Sequence, residues 1–108
     1  MSDFAFAGKS FEFRIDNGVV FRNFYSSDGK RLRYATLDGP AERVSEEVEL
    51  FAAEFAPNIY MVGWNEISGA TVVHVMNFKN HTMCGFWSFP EDDDRSGEIH
   101  SGTFAEAK

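Results

Sequence analysis

Turn signals recur along this chain about every 8 to 12 residues, and this spacing limits it to a fold built from short strands. The clearest are Asp16-Asn17-Gly18, Ser26-Ser27-Asp28-Gly29 and Ser68-Gly69. Before the first of them, apolar and charged residues alternate from Phe11 to Ile15, the pattern of a strand with one buried face. The sequence therefore predicts a meandering, antiparallel all-β protein.

We expect a single domain over residues 1–108, closed into a barrel of about eight strands. The predicted strands cover residues 11–15, 19–25, 30–37, 47–55, 59–67, 71–78, 83–89 and 98–105. The fourth is ambiguous, because Val44, Val48, Phe51, Ala52 and Phe55 fall near helical spacing and segment 41–55 could be helical. As a strand it would complete a sheet that closes on itself and has no free edges.

Composition narrows the classes of partner. Hydrophobic residues make up 44% of the chain, enough for a core, and the net charge of −7 argues against nucleic acid and anionic membranes. No apolar run approaches the length of a membrane span, and the N-terminus does not resemble a secretory leader. Cys84 is the single cysteine, which excludes an internal disulfide and fits a cytoplasmic location.

One predicted strand carries a carboxylate among aromatic residues. Alternation places Tyr60, Val62, Trp64 and Glu66 on one face. Burial disfavours the charged form of a carboxylate, so Glu66 is the first candidate for a catalytic acid or base. A residue in this position is alternatively explained as a carboxylate at the barrel mouth, paired to an arginine.

The hairpin at Ser68-Gly69 decides what Glu66 faces. A two-residue loop would place it beside Thr71, whereas a three-residue loop or a bulge would bring His74 onto the same interior face. We favour the second register because it buries the bulkier side chains. His74 is then a candidate acid/base partner of Glu66, and the alternative is a core histidine. The candidate ligand-binding residues are Phe13, Tyr60, Trp64, Val72, Met76, Trp87 and Phe89.

The segment Tyr60-x-Val62-x-Trp64-x-Glu66-x-x-Gly69 resembles the phenolic acid decarboxylase family and the related MoaF-like proteins. The similarity runs from about Phe11 to Pro90 and includes Asp16-Asn17-Gly18 and the stretch 85–90. It implies a small calycin, or lipocalin-like, β-barrel.

The resemblance also implies roles for individual residues. Glu66 would be the proton-transferring acid of the pocket, and Val72, Trp87 and Phe89 would line it. Two tyrosines of the decarboxylases correspond here to Phe13 and Ile15, which cannot donate a hydrogen bond. The pocket arginine of the family would fall near Arg43.

Three functional hypotheses follow for this chain. It is a cofactor-free enzyme of the lyase or isomerase kind using Glu66 and His74, or a small-ligand-binding protein without turnover. The third hypothesis, a dimeric interaction module whose apolar face is an interface, follows from the two-residue hairpin loop. The expected ligand is a small hydrophobic or aromatic molecule in the barrel, and the expected protein partner is a second copy of the chain. His74, Glu98 and His100 could together bind a divalent metal, but their spacing is not that of tight ligands and we predict no metal site.

Overall fold

Nine β-strands make up the regular structure of residues 4–38 and 45–107, which are the residues that this computed structural model describes. They are β1 (Ser10–Ile15), β2 (Val20–Tyr25), β3 (Arg31–Asp38), β4 (Ser45–Glu49), β5 (Phe51–Ala56), β6 (Ile59–Asn65), β7 (Thr71–Asn77), β8 (Thr82–Glu91) and β9 (Asp94–Ala107). No helix in these two ranges is long and apolar enough to cross a membrane.

The strands form one antiparallel sheet in the order β4-β3-β2-β1-β9-β8-β7-β6-β5. Its two outer strands, β4 and β5, are consecutive in the chain and are separated by Leu50 alone, so the two edges of the sheet meet there. Across this seam the Ile67 N–H donates a 2.9 Å hydrogen bond to Oε2 of Glu46. The all-β barrel is confirmed, and β4 and β5 counted as one bent strand give the expected number of eight.

The helical alternative for segment 41–55 is wrong over residues 45–55, which are extended; residues 41–44 lie outside the described residues. Val48 and Leu50 point inward while Glu47 and Glu49 point outward, which is strand periodicity. The apparent helical spacing depended on two phenylalanines that are in fact exposed on the outer surface. Phe51 is 55% exposed and Phe55 is 62% exposed.

The hairpin between β6 and β7 has a three-residue loop. The Glu66 N–H donates to the Ala70 carbonyl at 2.8 Å, and Gly69 takes a φ of 96°, which glycine adopts at little cost. Trp64 is consequently paired with Val72 across the two strands. This is the register that the burial argument favoured.

The two ends of the barrel differ. At one end Phe6 is fully buried, and its ring lies 4.7 Å from that of Tyr25, at the end of β2, and 5.5 Å from that of Tyr60, near the start of β6. The N-terminal segment therefore fills that end of the barrel. The opposite end, near the start of β2 and the end of β6, is less completely filled and contains a cavity.

Candidate functional site

A cavity of about 290 Å³ lies at this second end of the barrel. Its wall is mostly aliphatic and aromatic, with a group of polar side chains on one side. The lining residues are Val19, Phe21, Asn23, Tyr34, Thr36, Glu46, Trp64, Glu66, Ile67, Ser68, Ala70, Val72, Trp87 and Phe89. The size suits one small molecule, and the composition is typical of ligand sites.

The polar group centres on two carboxylates and a phenol. The indole Nε1 of Trp64 donates a 3.0 Å hydrogen bond to Oε2 of Glu66. The Tyr34 hydroxyl donates its one hydrogen to Oε1 of Glu46 at 2.7 Å and interacts electrostatically with the Glu66 carboxyl. Tyr34 is thus close to both carboxyl groups.

Strand pairing explains why these side chains meet although they are far apart in the sequence. Asn23 on β2 is paired with Tyr34 on β3, which is paired with Glu46 on β4. Directly paired residues have Cβ atoms roughly 4.5 to 5.5 Å apart on the same face of a sheet. The closing of the barrel then brings the end of β6, with Glu66, against this row.

Burial raises the pKa of the Glu66 carboxyl, and the negative charge of Glu46 raises it further, while the hydrogen bond from Trp64 and the nearby Tyr34 hydroxyl oppose the rise. Burial also raises the pKa of the Tyr34 phenol, and its hydrogen bond to Glu46 acts in the same direction. Tyr34 is therefore a protonated donor at neutral pH. The arrangement can hold a proton on Glu66 or exchange one with a bound molecule.

Asn23 is fully buried in the cavity wall with half of its amide unsatisfied. Its Nδ2 donates to the Tyr25 hydroxyl at 3.1 Å, whereas its Oδ1 has no hydrogen-bond partner. A buried acceptor without a partner costs about 1 to 3 kcal/mol. The site therefore contains an acceptor that a ligand donor could satisfy.

His74 is fully buried beneath the cavity. Burial lowers its pKa to about 3, helped by the nearby charge of His100, so the ring is neutral. The Trp87 Nε1 donates a 3.1 Å hydrogen bond to His74 Nε2, and His74 Nδ1 has no partner. Neither ring nitrogen is bonded to Glu66, because the Trp64 ring packs edge-on against His74, with centroids 5.1 Å apart.

His100 lies on the other side of Trp87 with ring centroids 4.2 Å apart. Its two ring nitrogens are each 2.7 Å from a carboxylate, that of Asp16 and that of Glu98. Burial lowers the pKa of His100, but these two hydrogen bonds outweigh it and the net shift is upward. His74 is therefore separate from the pair formed by Glu98 and His100, because its Nε2 is bonded to Trp87.

The predicted site residues fall into two sets. Glu66, Trp64, Val72, Trp87 and Phe89 line the cavity. His74, Phe13, Tyr60 and Met76 are instead at most 4% exposed, lie in the core and are absent from the cavity lining. Arg43 lies outside the described residues.

Sequence reasoning missed Asn23, Tyr34 and Glu46. A signal was available for the first two, because alternation in the predicted strands 19–25 and 30–37 places Asn23 with Phe21 and Tyr25, and Tyr34 with Leu32, on inward faces. Glu46 had no comparable signal, because it precedes the predicted strand 47–55.

Comparison with known proteins gives a family and a structural relative. The model of the MoaF-like family matches residues 7–103. A solved structure from Burkholderia vietnamiensis, described as "a putative beta-lactamase", is 33% identical, with a TM-score of 0.86 over 99% of this chain and 100% of that chain. No curated protein matches the chain.

Proposed function

The chain belongs to the MoaF-like family, and from its cavity we propose that it binds one small, flat, mostly apolar molecule inside the barrel. The observation that carries this proposal is the cavity of about 290 Å³, whose aromatic wall includes Trp64, Trp87 and Phe89. Such surfaces stack on flat rings, and the carboxylates of Glu46 and Glu66 supply a polar contact at one side.

The experiment compares two alanine-to-phenylalanine variants. Ala70 lines the cavity opposite Glu66, whereas Ala105 on β9 is exposed. We expect 2-naphthol to bind the wild type measurably by isothermal titration calorimetry. Ala70→Phe should weaken binding at least about tenfold by filling the cavity, a change of about 1.4 kcal/mol.

Ala105→Phe is the matched control and should bind like the wild type. Equal weakening by both variants, or none by Ala70→Phe, would contradict binding in this cavity. Native mass spectrometry of freshly purified protein gives an independent view, because a co-purified molecule should be retained by Ala105→Phe and lost from Ala70→Phe.

Acid/base turnover at Glu66, of the lyase or isomerase kind, is the second candidate. It is favoured by the raised pKa of Glu66 and by the nearby Tyr34 hydroxyl, which is hydrogen-bonded to Glu46 and offers a path for a proton. Conversion of a co-purified molecule by the wild type but not by Glu66→Gln would support turnover. Conversion by both proteins would exclude Glu66 from the reaction.

The activity named for the Burkholderia protein is not proposed for this cavity. A serine β-lactamase needs a base next to its nucleophile. Ser68, the serine in the lining, accepts a 3.4 Å hydrogen bond from the Ala70 N–H, and within the described residues it has no hydrogen bond to Glu46 or Glu66.

A homodimer is proposed through the outer face of the sheet. A row of paired residues crosses five strands there, and its large members are exposed, Phe51 by 55%, Phe86 by 45% and Ile99 by 68%. Contiguous apolar surface of this kind is typical of interfaces.

Sedimentation equilibrium should show a dimer for the wild type and a monomer for Ile99→Lys, with Thr103→Lys as control. A monomeric wild type at all concentrations would contradict this proposal.

A further inference from the structure

The polar hydrogens of the aromatic residues in the cavity wall are already donated inside the protein. Three aromatic residues of the lining carry a polar hydrogen, and each hydrogen is donated to a protein acceptor. The pairs are Tyr34 to Glu46, Trp64 to Glu66 and Trp87 to His74. The hydroxyls of Thr36 and Ser68 can donate or accept, so they do not select either type of ligand.

Two carboxylates and one amide oxygen of the wall have capacity left for accepting hydrogen bonds, beside the second hydrogen of the Asn23 Nδ2. Glu46 and Glu66 are carboxylates, each with more lone pairs than the bonds described above use. Asn23 adds an independent observation, because this fully buried side chain lines the cavity and its Oδ1 has no partner. A ligand that brings several N–H groups would satisfy these acceptors together.

The negative charge of the lining residues also favours a ligand with N–H groups, and in particular a cation. Among the described residues that line the cavity there are two carboxylates and no lysine or arginine. Arg31 and Arg33 are both engaged by Glu47 on the outer surface, at 2.8 and 3.1 Å. A ligand carboxylate would bring a third negative charge to this side of the cavity, whereas a cation would neutralise part of the existing charge.

We propose that the cavity selects a primary or secondary ammonium group carried on a flat apolar body, with its N–H groups donating to Glu66, Glu46 and Asn23. This inference rests on the proposed function, since it names the class of molecule that the cavity binds. Strand pairing supports the contact set, because Asn23, Tyr34 and Glu46 are neighbours across β2, β3 and β4. Charge-assisted hydrogen bonds are about twice as strong as neutral ones, so the head group would dominate selectivity.

The test uses three ligands of nearly equal shape that differ in charge at pH 7. They are 2-naphthylmethylamine, 2-naphthylmethanol and 2-naphthoic acid, each titrated into the full chain by calorimetry. We expect the amine to bind at least about tenfold more tightly than the alcohol, and the acid to bind most weakly.

Three substitutions test which carboxylates cause the preference for the amine over the alcohol. Glu66→Gln and Glu46→Gln keep the size of the side chain and remove its charge, so each should reduce the preference for the amine over the alcohol by about tenfold. Glu47→Gln is the matched control, because Glu47 is the next residue on β4 and pairs with arginines outside the barrel. It should leave the preference unchanged. Thermal unfolding of each variant shows that the comparison is made on folded protein.

The outcomes separate this inference from the proposed function. Equal binding of all three ligands, or a preference for the acid, would overturn ammonium selectivity and leave small-molecule binding intact. Binding of none of the three would overturn both. If Glu47→Gln also lost the preference for the amine, the preference would come from the net charge of the protein. That result would also overturn a specific ammonium site.

Discussion

Replacing Phe13 by alanine is expected to lower the free energy of unfolding by about 4 kcal/mol. Phe13 is fully buried, and its ring lies 5.0 Å from that of Phe21, 5.3 Å from that of Phe104 and 5.8 Å from that of His74. Alanine would leave a void bounded by these rings, which are held by separate strands and cannot close together freely. Urea unfolding followed by tryptophan fluorescence measures the loss.

Phe24→Ala is the matched control, because Phe24 lies on the neighbouring strand β2, faces outward and is 45% exposed. Its expected cost is about 1 kcal/mol or less. The same pair of variants tests the predicted role of Phe13 in ligand binding. Since Phe13 lies in the core and not in the cavity lining, we expect the folded Phe13→Ala protein to bind 2-naphthol within about twofold of the wild type. A stability loss no greater than that of Phe24→Ala would contradict the core assignment.

The barrel could be predicted from the sequence because its determinants are local. Alternation on each strand and glycine in the connecting turns can be read without knowing which strands are neighbours. The register of the hairpin after Glu66 could also be predicted locally, because a three-residue loop or a bulge puts the bulky Val72 and Met76 inside. Both residues are buried, and the loop has three residues. Segment 45–56 was harder, because Phe51 and Phe55 break the rule that large apolar residues face the core.

The site was predictable only in part, because half of it depends on how the sheet closes. Glu66 and Trp64 lie on one strand, and their proximity follows from alternation. Tyr34 and Glu46 reach Glu66 through the pairing of β3 with β4 and the meeting of β4 with β6, and nothing local encodes that closure. His74, in contrast, was predicted to lie in the site but lies in the core. It shares the inner face, but Trp64 and Trp87 contact its ring, so sharing a face did not mean sharing a cavity.

The pairing of β1 with β9 gives the second large expected effect, which is that Gly102→Ala destabilises the protein by about 3 kcal/mol. Gly102 lies in β9, paired with Ile15 on one side and Met83 on the other. A Cβ atom there would overlap the carbonyl oxygen of Arg14 and lie 3.1 Å from its carbonyl carbon. The obstacle is backbone, so relief requires β1 to move away from β9, the pairing that joins the N-terminal hairpins to the rest of the sheet.

Gly63→Ala is the matched control for this substitution. Gly63 is also a strand glycine, but the nearest atom to a Cβ there is the Val72 carbonyl oxygen at 3.4 Å, an ordinary contact. Alanine loses less backbone entropy than glycine on folding, so this variant should be within about 1 kcal/mol of the wild type. For a domain of this size, a loss of 3 kcal/mol corresponds to a fall in Tm of roughly 10 to 20 °C. Similar Tm values for the two variants would show that β1 and β9 approach less closely at Gly102 than this pairing requires.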